Sequence, residues 1–527
     1  MTNYIYDYCA IAALLVLSII LLKEELHRIQ LNSYFNSRYF KWLRENFLPN
    51  FKLHIALLAV AIAFIFIENE LFADTLKGFA IGVSIAASIS ILRKKVKKKL
   101  DYTKRAVRLF VTGILLITVI NGIVFVFFNE KFAIASLLIT SALSSVNILI
   151  SNILIKPIEL SINRWYINDA KKKISGYKNL IKIGVTGSYG KTSVKHFLHT
   201  ILSEKYNTLM TPGSFNTTLG VVRTIREYLQ PVHEVFIAEM GAKRIGDVQE
   251  ICDIVEPEYG ILTAIGPQHL ESFGSLDNIK RAKLEVITNL PASGTGFVNI
   301  DNLAVSEIPS DVKAKIITFA VKKEADYTAA NVAYRGRGMV FDVVKQGKVA
   351  LTVETNLLGE HNVSNLLVCC AFTLEIGVEK YRIEMAVKKI EAVEHRLQVK
   401  QTAAGITIID DAFNSNPVGS KMALEALRRF EGNRKIVITP GMIELGDKEY
   451  ELNREFGKYI AENCDIAVLV GKNRTAPIQE GIRAAGFPEE KMLVCRDLNE
   501  ANERVKGFIL AGDVVLYEND LPDTFNE

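Results

Sequence analysis

The sequence predicts an amino-terminal α-helical transmembrane domain joined to two α/β domains, and three observations carry that prediction. Long uncharged apolar stretches crowd the first 155 residues, and a membrane-crossing helix needs about 20 apolar residues. Beyond Pro157 strand-like and helix-like runs alternate, the pattern of parallel sheets covered by helices. A glycine-rich turn, Gly184–Ser193, lies between the first such strand and helix. At 527 residues the chain has room for roughly three domains.

Two of the apolar stretches are long enough to cross hydrocarbon unaided: Leu109–Phe128, 20 residues, and Phe132–Ile155, 24 residues. Three shorter ones precede them, Tyr8–Leu22, Leu53–Ile67 and Gly78–Leu92, each 15 residues. Together they predict about five spans within residues 1–156. The connection 23–52 carries Lys23, Arg28, Arg38, Lys41, Arg44 and Lys52, and 93–108 carries nine Lys/Arg against one acid, Asp101. Glu68–Asp74 has three acids and no Lys/Arg, and Asn129–Lys131 is a short turn. Basic loops face the cytoplasm, so a multi-pass protein of the cell membrane is expected, its amino terminus outside and everything after Ile155 inside. The first segment lacks a basic start, and Lys23–Glu25 follows where a small-residue cleavage site would stand, so it reads as a span and not a cleaved signal.

The net charge of +5 becomes −3 once the +8 of Arg93–Arg108 is set aside. Basicity confined to one juxtamembrane cluster suits the anionic headgroups of membrane lipids and argues against a nucleic-acid partner. Six cysteines show no C-x-x-C pair and no metal spacing, which fits a reducing compartment. Cys369 and Cys370 fall in an apolar helical run and read as buried thiols.

In the remainder, Lys182–Val185, Val235–Glu239 and Tyr259–Thr263 read as strands, with Lys191–Leu202 as a helix. Residues from about Ile316 to Val353 are rich in β-branched and turn types and predict a small mixed or antiparallel extension. A second α/β series runs through Ile406–Asp410, Lys435–Ile438, Ile466–Val470 and Val514–Tyr517. The boundary between the two α/β domains, 157–394 and 395–527, is placed near Glu394–Arg396.

The strongest local signal is Gly184-Val-Thr-Gly-Ser-Tyr-Gly-Lys-Thr-Ser193. Glycines let backbone N–H groups close around phosphate oxygens, and the following helix amino terminus adds positive potential. Gly187, Ser188, Gly190 and Ser193 would line this cradle, Lys191 would reach the terminal phosphates, and the Thr192 hydroxyl is placed for Mg2+. The spacing departs from the common G-x-x-x-x-G-K form, because Gly184 stands one residue too far from Gly190.

Thr186-Gly-Ser-Tyr-Gly-Lys-Thr192 resembles the T-G-x-x-G-K-T loop of the Mur ligases of bacterial cell-wall synthesis, and further segments follow in the family's order. Pro212–Gly220 resembles the Asn-rich segment after the loop, and Ala238-Glu-Met-Gly241 the strand end of the branch that adds D-alanyl-D-alanine. Gly266–Gly274, Ala282-Lys-Leu-Glu285 and Gly359-Glu-His-Asn-Val-Ser-Asn365 resemble its x-H-L-E-x-F-G, A-K-x-E and G-x-H-N-x-x-N segments. Glu394-His-Arg396, Asp410–Pro417 and Pro440–Gly446 resemble the arginine entering the last domain, D-D-A-Y-N-A-N-P and the G-x-M-x-E-L-G turn. The similarity covers about residues 180–517.

This resemblance implies a P-loop central domain, a Rossmann-like carboxyl-terminal domain, and ATP with Mg2+ as cofactors. The implied activity is amide-bond formation through an acyl phosphate, joining an amino acid or dipeptide amine to a carboxylate acceptor. Lys191, Lys283, His269 and Arg396 would be catalytic. Thr192 and Glu239 would hold one Mg2+, His269 a second, and Lys283 would be carbamylated into an anionic metal ligand. Asn362 and Asn365 would lie near adenine, although helix capping is the plain reading of both. Asp411 would bind ribose, and Asn414 with Asn416 would border the nucleotide and the amine.

Two departures concern the substrate end. The membrane part replaces the family's UDP-sugar-binding domain, and Tyr517–Glu527 is acidic where the family ends in a basic K-G-S-type segment. The expected acceptor is therefore a cell-wall precursor, either lipid-linked or delivered at the membrane surface, with the choice between UDP-linked and lipid-linked forms left open. A ligase of another polymer, such as poly-γ-glutamate, and a non-catalytic ATP-binding membrane scaffold are the competing readings.

Overall fold

A computed structural model of the chain describes residues 2–67, 69–93, 99–335, 338–413 and 415–520. These pack as two units, one through Arg164 and one from Trp165 onward.

The first unit is helical: α1 Thr2–Leu31, α2 Asn36–Asn50, α3 Lys52–Phe66, α4 Glu70–Arg93, α5 Lys104–Phe127, α6 Glu130–Ala142 and α7 Ser144–Ser175. Three segments are long and apolar enough to cross a membrane by length and composition: Leu71–Arg93, Lys104–Phe127 and Ser144–Ser175. Lys52–Phe66 is apolar but shorter. The sequence reading differs at two places. The expected single span Phe132–Ile155 is two helices, because Leu143 leaves helical geometry (φ −98°, ψ 23°) amid the small residues Ser141, Ala142 and Ser144. The boundary expected after residue 156 falls inside α7, which runs through Pro157. A proline costs a helix one backbone hydrogen bond, a loss the long apolar helix tolerates.

A polar cluster inside this unit escaped the sequence reading. Glu25, fully buried, accepts from Tyr39 and from Arg28 Nη1 at 2.5 Å, while Arg28 Nη2 reaches Glu24 at 2.7 Å. The Arg28 guanidinium also lies 5.3 Å from the centroids of the Trp42 and Phe51 rings. Burying these charges is tolerable because each finds a partner.

The second unit holds two sheets. The larger contains β1 Ile181–Thr186, β2 Thr208–Met210, β3 Val235–Glu239, β4 Tyr259–Leu262, β5 Thr295–Asn299, β6 Lys315–Ala320, β7 Tyr327–Arg335, β8 Gly338–Lys345 and β9 Lys348–Thr355. Their order is β2-β3-β1-β4-β5-β6-β7-β8-β9, parallel as far as β7 and antiparallel from β7 to β9. The antiparallel meander is the extension expected over 316–353. Strands such as Val235-Phe-Ile-Ala-Glu239 are buried at every position, as a sheet covered on both faces requires. On one face Val194, Phe197, Leu198 and Ile201 of the Lys191–Leu202 helix join Leu366, Cys369, Cys370 and Phe372 in one core. On the other, Val221, Val248, Ile251 and Ile279 close a second.

The smaller sheet contains β10 Gln398–Gln401, β11 Thr407–Asp411, β12 Lys435–Thr439, β13 Ile466–Val470, β14 Met492–Cys495 and β15 Val514–Glu518, ordered β10-β11-β15-β12-β13-β14. Only β10, on the edge, runs antiparallel to its neighbour. In both sheets the residues of interest follow the carboxyl ends of parallel strands, where open α/β folds place their ligands.

Candidate active site

The turn after β1 is held from below. Ser188 N donates to Ala264 O at 2.7 Å, Ser188 Oγ to Gly266 O at 2.9 Å, and Thr263 Oγ1 to Tyr189 O. Gly187 (φ +151°) and Gly190 (φ +80°) sit where no side chain fits: a Cβ on Gly187 would strike Thr263 Oγ1, and one on Gly190 would strike Asn365 Oδ1. Gly190 is also the N-cap of the Lys191–Leu202 helix and offers no capping side chain. The first N–H groups of that helix thus remain for an anion.

Lys191 folds back over this turn, its Nζ donating to Gly187 O at 2.6 Å and Ser188 O at 3.2 Å. Burial drives its pKa down to about 8; Glu239 opposes the shift and Arg396 adds to it. Glu239, the last residue of β3, is 1% exposed. Its Oε1 accepts from Thr192 Oγ1 at 3.1 Å and Asn216 Nδ2 at 3.0 Å, and its Oε2 lies 3.0 Å from Lys195 Nζ. Burial alone would raise the Glu239 pKa, but Lys195, Lys191 and Asn216 together hold it below the ordinary carboxylate range. An ionised carboxylate touching a threonine hydroxyl is a donor set suited to a hard divalent cation, so Thr192 and Glu239 fit the Mg2+ role expected of them. Among the described residues no group of three or more His, Cys, Asp or Glu side chains is placed to hold a metal ion. Such a cation would therefore complete its shell from ligand oxygens and water.

His269 and Lys283 stand further out. His269 is in left-handed geometry (φ +54°) at the start of the Leu270–Phe273 turn, and its Nδ1 engages Glu444 of the smaller-sheet domain. Burial lowers the His269 pKa, while its hydrogen bond takes Glu444 down to about 2. Lys243 adds a 3.4 Å contact to Glu444. Lys283 is 3% exposed, with Nζ 5.9 Å from the Phe273 ring centroid. Burial, and then the nearby Lys191, push its pKa far below the usual lysine range.

The other sheet supplies Arg396, Asp411 and Asn416. Arg396 stacks on Phe413 at 4.6 Å, and burial lowers its pKa against the pull of Asp411, Glu239 and Glu518. Asp411 Oδ1 accepts from Leu397 N at 3.1 Å. Asn416 caps the Pro417–Arg429 helix, its Oδ1 accepting from Gly419 N at 2.8 Å. Asn414 lies outside the described residues. Asn362 and Asn365 are buried on the Glu360–Glu375 helix, whose N-cap is Gly359. Asn362 Nδ2 donates back to Leu358 O at 2.8 Å and Asn365 Nδ2 to Asn362 Oδ1 at 3.4 Å. Gly190, Ser193, Asn362, Asn365, Arg396 and Asp411 all line one cavity of about 280 Å³.

The sequence reading missed three residues. Lys195 is a fully buried lysine four residues after Lys191; its place on the apolar face of the helix was the available signal. Glu444 lies in the quoted Pro440–Gly446 turn but had no role until His269 met it. Glu518 ends β15 beside Asp411.

A phosphate-type turn whose Tyr189 and Gly190 share a cavity with an arginine and an aspartate from a second α/β domain, with a carboxylate–hydroxyl pair at the turn's end, defines a nucleotide-dependent group-transfer enzyme. The models of the Mur ligase middle domain and of the Mur ligase, glutamate ligase domain match residues 185–373 and 395–517, more than half of the chain. The chain belongs to the Mur ligase family and is an ATP-dependent ligase. It is 29% identical over 318 residues to the UDP-N-acetylmuramoyl-tripeptide–D-alanyl-D-alanine ligase of Haemophilus influenzae, covering 59% of this chain and 68% of that protein. With the Bacillus subtilis protein of that name it shares 27% over 337 residues, covering 64% and 72%. The solved structure of MurF from Acinetobacter baumannii superposes with a TM-score of 0.61 at 26% identity, covering 69% of this chain and 78% of that one. MurF from Thermotoga maritima in complex with ADP gives 0.60 at 24% identity, over 68% and 80%, a likeness of fold.

Proposed function

We propose that this ligase adds an amino acid or a dipeptide such as D-alanyl-D-alanine to a cell-wall precursor at the cytoplasmic face of the membrane. One observation carries the reading: Tyr189 and Gly190 of the glycine-rich turn line one cavity with Arg396 and Asp411, and Glu239 accepts from Thr192 at the end of that turn. In this reading residues 1–156 form a membrane domain with its amino terminus outside, 157–394 bind ATP, and 395–527 close over it. The three membrane-compatible helices support the anchor, and the basic segment 93–108, part of which lies outside the described residues, meets anionic lipid.

The acceptor carboxylate attacks the γ-phosphorus of ATP and the bond to ADP breaks; the incoming amine then attacks the acyl carbon, the carbon–oxygen bond to phosphate breaks, phosphate leaves, and the nitrogen gives up a proton to solvent as the amide forms. Gly187, Ser188, Gly190 and Ser193 cradle phosphate, Lys191 and Arg396 balance charge on the transferring group, and Asn362 and Asn365 approach adenine. Thr192 and Glu239 would hold Mg2+, which would neutralise further phosphate charge, and His269 with a carbamylated Lys283 would contribute to a second ion. Asn416 borders the nucleotide and the amine. The acidic Tyr517–Asp520 segment leaves room for a second reading, a ligase of another anionic polymer. An ATP-consumption screen of the membrane-bound enzyme separates them, pairing UDP-linked and lipid-linked muramoyl tripeptide with D-alanyl-D-alanine and with glutamate. The expected result is turnover with the dipeptide and faster turnover on the lipid-linked acceptor; equal rates on both acceptors refute the membrane-delivered substrate.

Nucleotide affinity should also depend on pH through Lys191. Phosphates favour the ammonium form, so binding raises a pKa that starts near 8. ATP is therefore bound tightest below pH 8, and affinity falls above it, approaching tenfold per pH unit. Calorimetry at pH 8 in two buffers of different ionisation enthalpy should show proton uptake on binding. No uptake would mean that Lys191 does not meet the phosphates.

A further inference from the structure

An imidazole that ligates a cation must hold its ring still and keep one nitrogen free of a proton. We propose that Glu444 is the positioning residue that imposes both conditions on His269, an inference that rests on the two-ion reading above. The site of the second ion is then completed only where the two α/β domains meet.

His269 follows β4 of the larger sheet, while Glu444 belongs to the Pro440–Gly446 turn after β12 of the smaller one. His269 Nδ1 meets Glu444 Oε2. An ionised carboxylate can only accept, so the ring proton sits on Nδ1 and the lone pair is left on Nε2. Nε2 has no protein partner among the described residues. A carboxylate behind a ligating histidine is a common means of fixing its tautomer and ring orientation, and the pair has that arrangement.

Glu444 is itself held in place. Lys243 Nζ lies 3.4 Å from its other oxygen, Oε1, and Glu271 N donates to its carbonyl at 3.4 Å. The turn that carries it is tied down by Asn453, 4% exposed, whose Oδ1 accepts from Met442 N at 2.9 Å and whose Nδ2 donates to Met442 O at 3.0 Å. His269 (φ +54°) and Glu444 (φ +62°) both adopt left-handed backbone, which is uncommon for residues with a side chain. Such geometry persists where the surroundings impose it, and it collects at functional sites. A loose ion pair could form between residues of ordinary backbone; aiming a carboxylate at one nitrogen of one ring is a stricter demand. Glu444 acts through the ring and does not itself touch the cation. Parting the domains would release Nδ1, leave the ring free to turn, and weaken the ion.

The test uses the full-length enzyme with bicarbonate and the β,γ-imido analogue of ATP, and Mn2+ binding is read by electron paramagnetic resonance. The unaltered enzyme is expected to bind two Mn2+ ions, the weaker of which is lost in His269→Ala. Glu444→Leu should weaken that ion by about 10- to 100-fold and leave the tighter one within about threefold. Glu444→Gln, whose amide oxygen still accepts from Nδ1, should keep the weaker ion within about threefold of the unaltered enzyme. An unchanged weaker ion in Glu444→Leu overturns the proposal. Loss of that ion in Glu444→Leu as complete as in His269→Ala also overturns it, because Glu444 would then be a ligand. Equal weakening of both ions overturns it as well, since Glu444 would then support the fold at large. An unaltered enzyme that binds a single Mn2+ ion overturns the two-ion reading itself, a result distinct from two ions indifferent to Glu444.

Discussion

Replacing Lys191 with alanine should lower ATP-dependent turnover by at least about 10³-fold, with little change in stability. In phosphoryl transfer, charge spreads over the moving group's oxygens while the protein forms few bonds of its own, so a placed cation contributes much of the rate. In the proposed function Lys191 is that cation, and its present partners are two backbone carbonyls of the same turn. Those contacts keep the ammonium where phosphate oxygens would arrive and release it on their arrival. Alanine retains the helix start, because Gly190 and the bonds of Ser188 and Thr263 shape the turn without Lys191. Parallel unfolding curves should therefore nearly coincide while the rate collapses. An unchanged rate would move phosphate binding elsewhere in the molecule.

The shape of the glycine-rich turn was legible in sequence because its determinants are local. Gly187, Gly190, Lys191 and Thr192 lie within six residues, and only glycine tolerates the backbone at two of them. The parallel strands were legible for a related reason: Val235–Glu239 and Ile466–Val470 are buried on both faces and read as unbroken apolar runs. Short strands such as Thr208–Met210 and Gln398–Gln401 carry too few residues for a period and are fixed by their neighbours. The break at Leu143 carries no proline, glycine or charge to mark it within an uncharged run of residues. Contacts over long sequence separation were least legible. Lys195 meets Glu239 across 44 residues, His269 meets Glu444 across 175, and Glu518 meets Ser415 across 103. Glu444 and Glu518 look like ordinary surface charges until the fold brings their partners alongside.

Lys283 is expected to carry a carbamate in the active enzyme, and Lys283→Met to lower turnover by about 10²-fold or more. The argument begins with a side chain 3% exposed beside a ring and near a second cation. Burial and Lys191 both disfavour an ammonium ion there, so the uncharged amine is more accessible than in an ordinary lysine. An uncharged amine attacks CO2: a nitrogen–carbon bond forms, one C=O π pair moves to oxygen, and a proton leaves to water. The product is an anion, and the Lys191 charge that repelled the ammonium now stabilises it. A carboxylate of this kind is also a hard oxygen donor, which the amine was not. Enzyme freed of CO2 should therefore lose activity and regain it with bicarbonate. With ¹³C-labelled bicarbonate, a carbamate carbon resonance should appear in the unaltered enzyme and be missing from Lys283→Met. Full activity without CO2, together with no such resonance, would show that Lys283 works as the plain amine and that any second cation finds its ligands elsewhere.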